Sequence, residues 1–150
     1  MSIKIKNLGD FTILLSISGR LTTSASTVLG SGDCGGPAPF SGIVKAVYAV
    51  LGAAGTGAAA ATVDLLQNET TMVASGAMFS FASTATTPTY TAPATNPPTV
   101  TKGDIFSLAV NSVHNTTPAQ DLCVAIVLER TRGTGPVAQM LTGTYGSSEV

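Results

Sequence analysis

Short apolar runs alternate with turn-rich polar stretches along this chain, and the clearest runs lie between Thr101 and Arg130. Lys102-Gly103-Asp104 reads as a turn into residues 105–110. There Phe106, Leu108 and Val110 recur at every second position and share one face of a strand. Residues 111–120 are polar and hold Pro118, which has no N–H for a ladder, so they read as a loop. Residues 121–130 then place Leu122, Val124, Ile126 and Leu128 on one face and Cys123, Ala125 and Val127 on the other. The larger set points to the core, and the small apolar set to a covered or partner-facing surface. The β-branched residues and flanking turns favour strand over helix.

The same pattern extends through the chain. Ile3-Lys4-Ile5-Lys6 alternates as a short edge strand or arm. Residues 11–17 form a strand with Phe11, Ile13, Leu15 and Ile17 on one face, broken by Ser18-Gly19. Residues 20–29 hold a weak strand ending at Val28-Leu29, and residues 30–37 a glycine-rich loop. Residues 43–51 form a strand in which Lys45 takes one face to solvent or a subunit boundary. Gly52, Gly55 and Gly57 would each cost a helix about 1 kcal/mol, so a loop leads to a strand over residues 60–66.

Residues 67–70 read as a hairpin turn. Asn68 suits the left-handed conformation, whereas Glu69 stands where glycine is preferred. Residues 71–74 form the return strand, and residues 78–81 a short strand with Phe79 and Phe81 together. Residues 82–101 contain Pro88, Pro93, Pro97 and Pro98 and support at most one edge strand, around Thr89-Tyr90-Thr91. The rest is a long exposed loop of the kind that often contacts a partner. Residues 131–150 are rich in Gly, Thr and Ser, with only Val137, Met140, Leu141 and Tyr145 as anchors. A disordered tail and an arm docked on a neighbouring subunit are both open for them.

About seven to nine short strands with no amphipathic helix imply an all-β antiparallel β-sandwich, jelly-roll-like, with extended terminal arms. Residues 1–10 are the N-terminal arm or edge strand, 11–130 the sandwich and 131–150 the C-terminal arm.

Composition narrows the function. Only 10% of the 150 residues are charged, against roughly 25% in an ordinary soluble domain. The surface must then be largely Thr, Ser, Gly, Ala and Asn, a liability for a free monomer but tolerable in an assembled subunit. Net charge is −1 and no basic run exists, which argues against nucleic-acid and anionic-membrane binding. No apolar run has transmembrane length, and the start lacks a signal peptide's apolar region, so use without Sec export is expected. Cys34 and Cys123 are too few for a disulfide scaffold and lack metal-ligand spacing. They read as reduced thiols, with Cys123 a small core filler within its strand and a single bridge left open.

Candidate chemistry is sparse. His114 is the one histidine and reads as a surface residue of a polar loop. No nucleophile-elbow sequence accompanies the serines. Asp64, Asp104 and Asp121 are candidate carboxylates, with Asp64 mid-strand and the others leading into strands, where aspartates bond to nearby backbone N–H groups. With Asn68 and Gly103 they are read as structural turn residues. The glycine-rich loop lacks a Gly-Lys-Ser/Thr ending, and the two Asn-x-Thr patterns arise readily in a Thr-rich chain. The expectation is no catalytic residue, no cofactor and no metal.

From Phe40 to Arg130 the order of short motifs carries a resemblance. Ile43 to Val47 is followed by the loop Gly52 to Gly57, Val63-Asp64-Leu65, Asn68, Gly103-Asp104 and Pro118-Ala119-Gln120-Asp121-Leu122. This order resembles a β-sandwich domain common in tailed-bacteriophage structural genes, of the head decoration (cement) type. The family's hairpin usually reads Asn-Gly, and Asn68-Glu69 departs from it. The resemblance implies a virion structural protein, made in the host cytoplasm and carried on the capsid surface. It implies the major capsid protein and copies of itself as partners, with a trimer expected. The contacts are assigned to Ile3 and Ile5, to Tyr90 and Pro97, and to Val137, Met140, Leu141 and Tyr145. A tail or fibre module binding a host glycan stands second, and an enzyme a distant third.

Overall fold

The computed structural model describes residues 9–23 and 36–131. Along the chain run β1 (Asp10–Arg20), β2 (Gly36–Pro37), β3 (Gly42–Ala53), β4 (Ala61–Gln67), β5 (Thr70–Thr71), β6 (Phe79–Phe81), β7 (Thr89–Tyr90), β8 (Thr99–Val100), β9 (Ile105–Ser112) and β10 (Gln120–Arg130). They build two antiparallel sheets. The first has the order β1-β10-β3-β8. The second has the order β2-β9-β4-β6-β7, with β5 pairing β4. Most chain steps pass from one sheet to the other, but the run from β4 to β7 stays within the second. Only the β4–β5 and β6–β7 steps join paired neighbours.

Alternation along the strands makes the core. Leu122, Val124, Ile126 and Leu128 of β10 are all buried, as are Ile13 and Leu15 of β1. The second sheet answers with Val63 and Leu65, Phe79 and Phe81, and Phe106, Leu108 and Val110. These side chains form one contiguous cluster. Burying each of the larger ones stabilises the fold by about 1.5–3 kcal/mol. The all-β, two-sheet sandwich expected from periodicity is what forms.

Several local expectations need correction. Phe11 does not share the burial of Ile13 and Leu15. It lies at the strand's end, 46% exposed, edge-on to Phe40 at 6.3 Å between ring centroids. Asp10, placed in the arm, already belongs to β1 and pairs with Glu129. Ser18-Gly19 does not end β1. The register slips there, Gly19 takes φ +78°, and pairing resumes at Arg20 with Gln120. This is a bulge absorbed by glycine.

The return strand after the hairpin stops at Thr71 instead of Ala74. The Thr71 hydroxyl bonds back to Val73, and Met72 and Val73 turn under into the core. Residues 36–37, expected as loop, pair with β9. The proline-rich stretch holds two short strands, because Thr99 and Val100 pair with the start of β3.

Candidate functional site

Residues 82–101 are held in place by backbone bonds to four separate segments. Thr84 N–H donates to Gly55 O at 2.8 Å, Leu51 N–H to Thr86 O, Thr91 N–H to Met78 O, and Ala94 N–H to Met72 O, the last three at 2.9 Å. Val44 N–H donates to Pro98 O, also at 2.9 Å. Between these fixings most side chains face solvent, Pro97 and Tyr90 among them. The Tyr90 ring leans on Phe79 at 6.1 Å, and burial of its inner edge raises the phenol pKa. No charged residue occurs from Thr70 to Thr101. The loop therefore presents a fixed, neutral surface of threonine, alanine and proline.

Between this loop and the β4–β5 hairpin lies an open cleft of about 320 Å³. Gln67 and four threonines, Thr70, Thr71, Thr95 and Thr99, line it alongside the apolar Met72 and Pro93.

The structural turn residues come together where the hairpin meets the lead-in to β9. Asn68 and Glu69 both adopt positive φ, +51° and +63°, the backbone of a type I′ turn. Asp104 accepts from Asn68 Nδ2 at 2.9 Å, Gln67 Nε2 at 2.8 Å and Thr101 N–H at 2.8 Å. These bonds, that from Asn68 foremost, hold its carboxyl below the usual range. Gly103 supplies φ +92° for the turn itself. Asp121 acts elsewhere, accepting from Gly19 N–H at 2.6 Å across the β1 bulge.

Asp64 is not a turn residue. It sits mid-β4, 3% exposed, and burial pushes its carboxyl pKa up. Its Oδ1 has no hydrogen-bond partner. His114 is likewise not on the surface. It is 1% exposed, its Nε2 lies 3.3 Å from Ala82 O, and its Nδ1 is unpartnered. The polar loop that carries it folds over the β3–β4 connection, where Thr56 pairs with Thr117, and Gly55 leaves room for the ring.

A further surface was only half legible in sequence. On the outer face of the first sheet, Leu14, Ala125 and Tyr48 stand in one cross-strand row and Ser16, Cys123 and Val50 in the next. Thr12, Val127 and Ala46 make a third. Leu14 and Tyr48 are 67% and 64% exposed. Cys123 is half-buried and carries a free thiol, so it fills this outer face and not the core. At one end Lys45 reaches Asp10 at 2.9 Å and Glu129 at 3.7 Å, and the Asp10 contact raises its pKa. The period-two pattern had marked the β10 part of this face. Its flanks needed the strand order.

Ile3, Ile5, Val137, Met140, Leu141 and Tyr145 lie outside the described residues. Among the described residues no cluster of three or more His, Cys, Asp or Glu side chains is placed to hold a metal ion, and no helix is long and apolar enough to cross a membrane.

No protein family, curated protein or solved structure matches this chain.

Proposed function

We propose that this protein is a structural virion subunit that decorates a bacteriophage capsid and stabilises it by bridging neighbouring major capsid protein subunits. The observation that carries this reading is the neutral, exposed loop 82–101, fixed by backbone bonds at both ends and in the middle. A surface already ordered loses little conformational entropy on docking. One free of charge has no ions to desolvate, and interface cores are depleted in charged residues. Bridging several capsid subunits multiplies modest contacts through high effective concentration. A jelly-roll topology, terminal arms and a trimer at local three-fold positions belong to the same reading, which rests also on the motif order from Phe40 to Arg130.

Co-sedimentation with expanded empty capsids tests it. Stoichiometric binding is expected, reduced at least tenfold by the pair Tyr90→Asp and Pro97→Asp. A protein that ignores capsids, or variants that bind them unchanged, would remove the basis of the proposal.

A second reading, a tail or fibre module that binds a host glycan, is favoured by the uncharged, threonine-rich cleft beside the same loop. Neutral sugars suit such a lining. A glycan array with reproducible hits that disappear on Thr95→Trp, which fills the cleft, would put this reading first.

A further inference from the structure

The outer face of the first sheet is three rows of small or apolar side chains with no charge among them. Leu14, Tyr48 and Val50 stand out from it, and Cys123 lies in their midst. Leaving such a face open to water is unfavourable in proportion to its apolar area. We propose that the chain's own C-terminal segment, residues 132–150, covers it.

Size argues for a segment over a second subunit. Three strands about 4.8 Å apart and about five residues at roughly 3.3 Å each give a patch on the order of 250 Å². A stable subunit interface needs about 800 Å² on each partner. One extended segment is the width this patch accommodates.

Position and composition name the segment. β10 is an inner strand of this sheet, flanked by β1 and β3, and the described chain leaves at Thr131 from its end. Residues 132–150 reach roughly 60 Å when extended, several times the patch length. From Gly133 to Ser148 they carry no charge, and they hold Val137, Met140, Leu141 and Tyr145. Gly133, Gly135 and Pro136 favour a reversal directly after the strand. Residues 1–8 leave from the same end but bring Lys4 and Lys6, which an uncharged face would desolvate. Tethering on the same chain gives the segment an effective concentration near millimolar, far above that of another copy. Val137, Met140, Leu141 and Tyr145 would then serve this chain's own sheet and not a capsid contact, whichever partner loop 82–101 meets.

Cys123 reports on the cover directly. In the full chain with Cys34→Ser, the rate at which Cys123 reacts with a maleimide would be compared with that in the same chain bearing Met140→Asp and Leu141→Asp. At least a tenfold acceleration is expected, with the protection in the parent independent of protein concentration. Leu14→Asp, an exposed change that leaves the core intact, is expected to accelerate the reaction similarly. Equal rates in all three chains would overturn the proposal. So would protection that vanishes on dilution, since the cover would then come from another copy.

Discussion

The side chains of Asn68 and Asp104 clasp two turns together. Asn68 donates through Nδ2 to Asp104 Oδ1 at 2.9 Å, while its own Oδ1 accepts from Ile105 N–H at 2.9 Å. The hairpin tip and the lead-in to β9 are thereby fixed to each other across 36 residues of sequence. Both turns need positive φ, at Asn68, Glu69 and Gly103, so the clasp holds a backbone that has few alternatives.

Asn68→Ala is expected to destabilise the protein by about 1–2 kcal/mol, from two lost bonds and a strained φ. Asp104→Asn should lower stability near neutral pH, by no more than about 1 kcal/mol because solvent screens this site. Because the folded state lowers the Asp104 pKa, its contribution is present above the carboxyl's ordinary value of about 3.8 and disappears as pH falls through the lower folded value. Urea titrations from pH 7 to pH 2 should show a shallower acid loss in Asp104→Asn than in the parent.

Glu69 is exposed at φ +63°, a position that favours glycine. Glu69→Gly should relieve that backbone and raise stability by roughly 0.5–1 kcal/mol, net of glycine's larger unfolded-state entropy. A thermal melt that moves down would contradict this account of the hairpin.

Asp64 has the opposite linkage. Its pKa is raised by burial, so its ionisation weighs against the folded state. Stability on its account is fullest below pH 3.8 and declines as pH rises through the raised value. Asp64→Asn keeps the shape and removes the charge. It should be about 1 kcal/mol more stable at pH 8, with the gain fading toward pH 4. Chemical denaturation at those two pH values decides the sign.

Gly55 is a packing requirement. A Cβ there would overlap the His114 ring and stand 2.7 Å from Ala119 N. Gly55→Ala should cost about 2–3 kcal/mol, because the neighbours are a buried ring and a backbone. The size of the drop in urea midpoint checks it.

Periodicity made the sandwich readable. β9 and β10 were legible residue by residue, since a half-buried strand leaves a period-two signature that polar loops cannot imitate. Asn68 and Gly103 were legible because positive φ restricts the residue choice. Strand order was not, since most consecutive strands pass between sheets and no local pattern records a partner a hundred residues away. For the same reason the burial of His114 was hidden. A polar loop reads as surface until Gly55 is seen to make room for it. The ends of strands misled in both directions. Phe11 follows the core's rhythm but stays half exposed near the end of β1, and Ser18-Gly19 looks like a stop but is a bulge.

The order β1-β10-β3 has a consequence for biosynthesis. The strand that joins β1 to β3 is the last of the ten, so an emerging chain carries two long strands with no mutual pairing until residue 130 has left the ribosome. Contacts this distant in sequence make folding slow, and exposed strand edges invite aggregation meanwhile. Nascent chains truncated before Gln120 lack the strand that closes the sheet and are the species a chaperone would hold. The first sheet is therefore completed only when β10 slots between its neighbours, whatever has folded before it.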